Sequence, residues 1–135
     1  SAQAAMASAY AIATGELVDT SEQEVVDCDC KNYGCNGGYM QTVFGWAVKN
    51  KGVTTGKDYP YENSDTHGCQ TGKLKNRAVT IDGHETVKAW SDSALKKAVY
   101  KQPVAVSLAG SGSAFQYYRG GVLMQDDCGH KADHA

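Results

Sequence analysis

The chain has 135 residues, enough for one ordinary domain, with 13 basic and 15 acidic side chains and a formal charge of -2. The charges are interspersed, so no basic stripe points to nucleic acid. No apolar run approaches the roughly 18 residues of a membrane span, and no stretch has the make-up of a secretory signal.

Five cysteines sit at positions 28, 30, 35, 69 and 128. An odd number leaves at least one thiol outside any internal pairing. Cysteine this frequent leans toward an oxidising compartment. Zinc is the competing use, but C-x-C-x4-C is not a common zinc spacing.

Residues 1–13, SAQAAMASAYAIA, carry small apolar side chains at Ala2, Ala5, Met6, Ala9 and Ala13, a helical stripe. Gly15 can take the left-handed conformation that ends it. No capping box opens this helix, so it reads as one already under way, and its small residues suggest packing on both sides. Ser21 with Glu24 forms a capping box for a second short helix ending near Cys28. KNYGCNGGY follows as a glycine-permitted loop.

Tyr39 to Lys51 is the clearest amphipathic helix, with Met40, Val43, Phe44, Ala47 and Val48 on one face and Gly52 as its stop. Residues 53–76 are polar and turn-rich, extended before Pro60. AVTIDG, residues 78–83, alternates like a strand. Ser91 or Asp92 caps a helix presenting Ala94, Leu95, Ala98 and Val99, closed by Pro103. Val104–Leu108 reads as a buried strand, FQYY as a turn, Val122–Met124 and KADHA as further strands. Helices first and strands last make an α+β pattern.

The stretch TGELVDTSEQEVVDCDCKNYGCNGGYM closely resembles the papain-like cysteine proteases, and DYPYE, KQPVAVSL, FQYYRGGV and DHA follow in the same order. VTIDGHE and AIATGEL are similar to plant members, including legume seed relatives. The resemblance implies a two-lobe fold, with residues 1–85 as the mostly helical lobe, starting within its central helix. Residues 86–135 would be the β-rich lobe, ending after the strand of the catalytic histidine.

Ser1-Ala2 matches the end of the family's C-G-S-C-W-A-F-S-A run. That places the nucleophilic cysteine four residues before Ser1, at the family's roughly 130–150-residue separation from the histidine. The family's oxyanion-hole glutamine and its downstream asparagine and tryptophan would also lie outside the chain. The 135 residues alone are therefore expected to be inactive and to expose apolar surface.

The resemblance implies peptide hydrolysis by a thiolate. A helix N-terminus and an imidazolium stabilise that anion. His134 would be the imidazolium and later the acid for the leaving amine. Gly37 and Gly38 match cleft glycines whose bare backbone pairs with an extended peptide. Tyr39, Met40, Ser107 and Ala132 match positions lining the pocket for the side chain two residues before the cut. Tyr33 matches an outer-cleft aromatic, and Asp133 a carboxylate that tunes the ion pair.

By the same resemblance Cys28 pairs with Cys69, while Cys35 and Cys128 match cysteines whose partners lie beyond the chain, and Cys30 departs from the pattern. No cofactor or metal is implied. The implied partners are peptide or protein substrates, an inhibitory propeptide and cystatin-type inhibitors. The implied setting is a monomeric parent that is secreted, vacuolar or lysosomal. A second expectation is a non-enzymatic seed storage or binding protein with the nucleophile replaced.

Overall fold

The structure, a computed structural model, describes residues 1–124 and 127–135. It forms two compact units, Ser1–Val104 and Ala105–Ala135.

In the first unit, helix α1 (Ala2–Thr14) ends as its glycine predicts: Gly15 takes φ 81° and donates its N–H to Ala11. Ala2 and Met6 enter the core, with Val43, Ala47, Val53 and Val79. Within these 135 residues one part of the helix is packed. Burial is confined to the N-terminal half, at Ala2, Gln3, Met6 and Ala7, and Ile12 is 63% exposed. Small side chains permit close approach but do not supply a neighbour.

Helix α2 (Glu22–Cys28) has half of its predicted capping box. The Ser21 hydroxyl accepts from the Glu24 N–H at 2.9 Å, but the Ser21 N–H donates to Thr54 instead. The Glu24 carboxylate is released to a different task. Fully buried, it accepts from the Thr54 N–H at 2.6 Å, Asn50 Nδ2 at 2.9 Å and Arg77 Nη1 at 2.7 Å. A buried carboxylate persists only when its oxygens are so occupied. Arg77 also reaches Asn50 Oδ1 at 3.2 Å, tying the start of α2 to two distant segments.

Helix α3 (Met40–Lys49) inserts Val43 and Ala47 into the core. Gly52 contributes to its stop, but Lys51 takes the left-handed position at φ 60°. The N–H of Gly52 bonds Ala47 at 2.9 Å and that of Lys51 bonds Val48 at 3.1 Å, a Schellman closure. A side chain at Gly52 would meet the Val79 carbonyl at 2.6 Å, so glycine is needed for the next contact. There Val53 and Val79 form an antiparallel bridge, both essentially fully buried. Each such valine contributes about 1.5–3 kcal/mol.

The turn-rich segment is fastened by Tyr59 and a disulfide. Tyr59 is fully buried; its hydroxyl donates to Asp27 Oδ2 at 2.5 Å and accepts from the Gln70 N–H at 3.1 Å. Next to Gln70, Cys69 is bonded to Cys28, with Cα atoms 4.5 Å apart. Helix α4 (Asp92–Lys101) starts at Ser91, whose hydroxyl accepts from the Ala94 N–H, and stops at Gln102 before Pro103. Its expected apolar face is largely uncovered, with Leu95 39% and Val99 55% exposed.

The second unit contains the short helix α5 (Ser113–Gln116), covering part of the expected FQYY turn. Among the described residues the β structure is three isolated bridges, Thr20–Thr55, Val53–Val79 and Leu108–His134. The strands expected at 78–83, 104–108 and 131–135 each contribute one bridging residue, and 122–124 contributes none. Val104–Leu108 is also not buried as expected: Val106 and Ser107 are exposed. A strand needs a neighbouring backbone for its ladder, and alternation in sequence cannot provide one.

Candidate active site

The glycine loop begins where α2 ends. Asp29, the C-cap of α2, is buried. Its Oδ1 accepts the Lys31 N–H at 3.1 Å and its Oδ2 accepts Asn32 Nδ2 at 2.8 Å. Asn32 then crosses the loop. Its Oδ1 accepts the Tyr39 N–H at 2.8 Å, and its Nδ2 lies 3.4 Å from the Tyr39 carbonyl. Within this frame Tyr33 donates its N–H to Gly37 at 3.0 Å, around a 3-10 turn at Gly34–Asn36.

Both loop glycines, Gly37 and Gly38, are dictated locally. Gly37 has φ 94°, which side chains rarely adopt. A Cβ on Gly38 would fall 2.3 Å from Asn32 Cγ, so only glycine passes beside the asparagine. The resulting backbone edge is open, with Gly37 and Gly38 exposed and Tyr33 and Tyr39 each 65% exposed. Met40 is half-buried and packs against the core. On the flank of this loop a hollow of about 540 Å³ is lined by Cys35, Gly34, Gly37, Glu22, Val26, Tyr61 and Asn63.

In the second unit His134 is fixed by its backbone. The Leu108 N–H bonds His134 at 2.9 Å and the His134 N–H bonds Leu108 at 3.1 Å. The His134 side chain lies against Gly110, where an added Cβ would approach its Cβ to 2.8 Å. Beside it the Asp133 carboxylate accepts the Gly110 N–H at 2.7 Å, the Ser111 N–H at 3.4 Å and the Ser111 hydroxyl. These donors hold the carboxyl below the usual carboxylate range, the Ser111 hydroxyl most strongly, against an opposing desolvation. The carboxylate therefore keeps its charge one residue before His134. Ser107, Ala132 and His134 are all exposed.

The predicted positions thus fall into two groups. Tyr33, Gly37, Gly38, Tyr39 and Met40 share one loop and helix start, and Ser107, Ala132, Asp133 and His134 share one bridge. Asn32, Asp29 and Ser111 were not singled out from the sequence, although Asn, Asp and Ser in loops commonly bond nearby backbone. Cys30, Cys35 and Cys128 are exposed thiols. Among the described residues no cluster of His, Cys, Asp and Glu could hold a metal. The remaining histidines include His67, paired with Glu62 at 3.0 Å, and His84, whose ring lies 5.7 Å from that of Phe44.

Comparison with known proteins places this arrangement. The sequence pattern of the papain family cysteine proteases matches residues 1–135. Cysteine proteinase COT44 of Brassica napus is 51% identical over 126 residues, covering 92% of the chain and 38% of that protein. Germination-specific cysteine protease 1 of Arabidopsis thaliana is 46% identical over 125 residues, 92% of the chain and 33% of that protein. The chain thus spans about a third of the length of these relatives. Among solved structures, the Carica candamarcensis cysteine protease CMS1MS2 in complex with E-64 has a TM-score of 0.89 at 35% identity, covering 99% of the chain and 62% of that protein. The ragweed pollen cysteine protease Amb a 11 in its proform also gives 0.89, at 40% identity, covering 98% and 36%. A glycine edge beside two exposed tyrosines, a histidine held next to an ionised aspartate and the family pattern along the full 135 residues lead to one conclusion: the chain belongs to the papain family of cysteine proteases.

Proposed function

We propose that the protein containing this chain is a cysteine endopeptidase. The observation that carries the reading is the family match through the DHA segment, with His134 pinned to Leu108 and Asp133 held ionised beside it. In this reading His134 pairs with a thiolate contributed from upstream of Ser1. The thiolate attacks the peptide carbonyl, and the imidazolium donates its proton to the leaving amine. Water, deprotonated by the imidazole, then cleaves the thioester and restores the pair. Asp133 keeps negative charge near the imidazolium and favours the charged pair.

The open backbone of Gly37 and Gly38 offers a strand-like edge to an extended peptide. By the family resemblance Tyr39 and Met40 in the first unit, and Ser107 and Ala132 in the second, are selectors of the side chain two residues before the cut, and Tyr33 contacts a residue further out. Residues 1–85 and 86–135 supply the helical and β-rich lobes. The hollow beside Cys35 receives the upstream segment with that cysteine's disulfide partner. An inhibitory propeptide and cystatin-type inhibitors occupy the same edge as substrate. The Cys28–Cys69 disulfide supports a secretory route to the vacuole or the outside, where the enzyme acts as a monomer.

The test is hydrolysis of a fluorogenic peptide by the full-length protein and by its His134→Ala variant. The reading expects activity abolished by a thiol alkylator, and a fall of about 10²–10⁴ in kcat without His134. Full-length protein that is folded and free of propeptide yet cleaves no peptide would refute it.

A further inference from the structure

Asn32 does more than close a turn. Its side chain occupies the place of a neighbouring strand, with the carboxamide facing both the N–H and the carbonyl of Tyr39. It also fills the space that a side chain on Gly38 would need. Behind it stands Asp29, buried at the end of α2, with its Oδ2 bonded to Asn32 Nδ2 at 2.8 Å. α2 is itself fastened by the Cys28–Cys69 disulfide and by the Glu24 and Asp27 contacts. A continuous path therefore runs from a cross-linked helix, through Asp29 and one carboxamide, to the backbone of Gly38 and Tyr39.

The Gly37–Gly38 segment otherwise has little to fix it. It is exposed and has no side chains, and among the described residues its backbone bonds are Tyr33–Gly37 and Gly34–Gly37. Pairing with a peptide backbone requires its N–H and carbonyl groups to be aimed within a fraction of an ångström.

We propose that Asn32 is a positioning residue for substrate: it aims the Gly37–Gly38 edge at the peptide backbone and so sets how strongly the enzyme uses residues two and more positions before the cut. This role rests on the endopeptidase reading. Asn32 takes no part in the chemistry at the scissile bond in this proposal, and its effect is confined to extended substrates. An amino-acid ester, with a single residue before the cut, has no backbone to lay along this edge.

The experiment compares full-length enzyme with Asn32→Ala and Asn32→Asp, with concentrations set by titration of the active thiol with an alkylator. Two substrates are used, a tripeptide anilide and a one-residue ester. In Asn32→Ala, kcat/KM for the tripeptide falls roughly ten-fold, mainly through KM, while the ester is cleaved within about two-fold of wild type. Asn32→Asp keeps an acceptor for the Tyr39 N–H but opposes its charge to Asp29. Its deficit is likewise confined to the tripeptide.

Equal losses on ester and tripeptide would assign Asn32 a general structural role and overturn the inference. So would an Asn32→Ala enzyme that matches wild type on both. Absence of thiol-dependent cleavage in the wild type itself would overturn the endopeptidase reading and the role of Asn32 with it. Hydrogen exchange provides an independent check, because the Tyr39 amide must lose protection in Asn32→Ala. Unchanged protection would show that the strut does not hold the edge.

Discussion

Replacing Arg77 by alanine tests what holds the scaffold beneath the glycine loop. The Glu24 carboxylate is wholly buried and accepts three donors, of which Arg77 Nη1 at 2.7 Å is the only cation. Removing one partner of a buried ion pair costs about 3–5 kcal/mol, because the other charge stays in the interior. Two features reduce this. The Arg77 side chain is 26% exposed, so water enters the space it leaves, and the Thr54 N–H and Asn50 Nδ2 remain on the carboxylate. We therefore expect Arg77→Ala to lose about 2–3 kcal/mol, well above the ~0–1 kcal/mol of a surface pair. Arg77→Lys keeps a charge but not the second contact to Asn50 Oδ1, and loses about 1 kcal/mol. The double variant Glu24→Met/Arg77→Met recovers part of the loss, since no charge is left buried. Urea unfolding of the full-length protein reads these differences from the midpoints at constant slope. An Arg77→Ala protein within about 0.5 kcal/mol of wild type would sink the argument, since that is the effect of an ordinary surface substitution.

Two further outcomes follow from the anchors of the turn-rich segment. Burial first, then the hydrogen bond to Asp27, pushes the Tyr59 phenol up to about 12 from an ordinary 10.0. Because the folded value is the higher one, the stabilisation is complete below pH 10 and is lost as the pH rises toward 12. Tyr59→Phe loses about 1–2 kcal/mol at neutral pH, but its stability then declines less between pH 10 and 12; ultraviolet titration of the wild type must show a phenol ionising near pH 12 that is missing from Tyr59→Phe. The Cys28–Cys69 bond closes a separation of 41 residues, and Cys28→Ala/Cys69→Ala loses about 4 kcal/mol by loop entropy, measured by the same urea midpoints. A loss under about 1 kcal/mol would mean that the segment is held by Tyr59 and its partners alone.

The sequence by itself determined the elements whose signals are local. Ser21 and Ser91 mark helix starts because a hydroxyl can reach an N–H three residues on, and Gly15 marks a stop because it tolerates φ 81°. It also carried the family through SEQE, GCNGG, YRGG and DHA, since a glycine loop or a histidine-bearing segment is written in consecutive residues. Tertiary structure decided everything that depends on distant neighbours. Glu24 left its capping box for Arg77, 53 residues away, because a buried carboxylate goes to the strongest donor within reach. Expected strands became single bridges because a ladder needs a second backbone at the right spacing. The apolar face of α4 stayed open because periodicity states which side could be buried, not whether anything lies against it. Asn32 looked like an ordinary loop residue until folding brought Asp29, Gly38 and Tyr39 around its carboxamide. A hydrogen bond that closes only in space leaves no period in the chain from which it could be read.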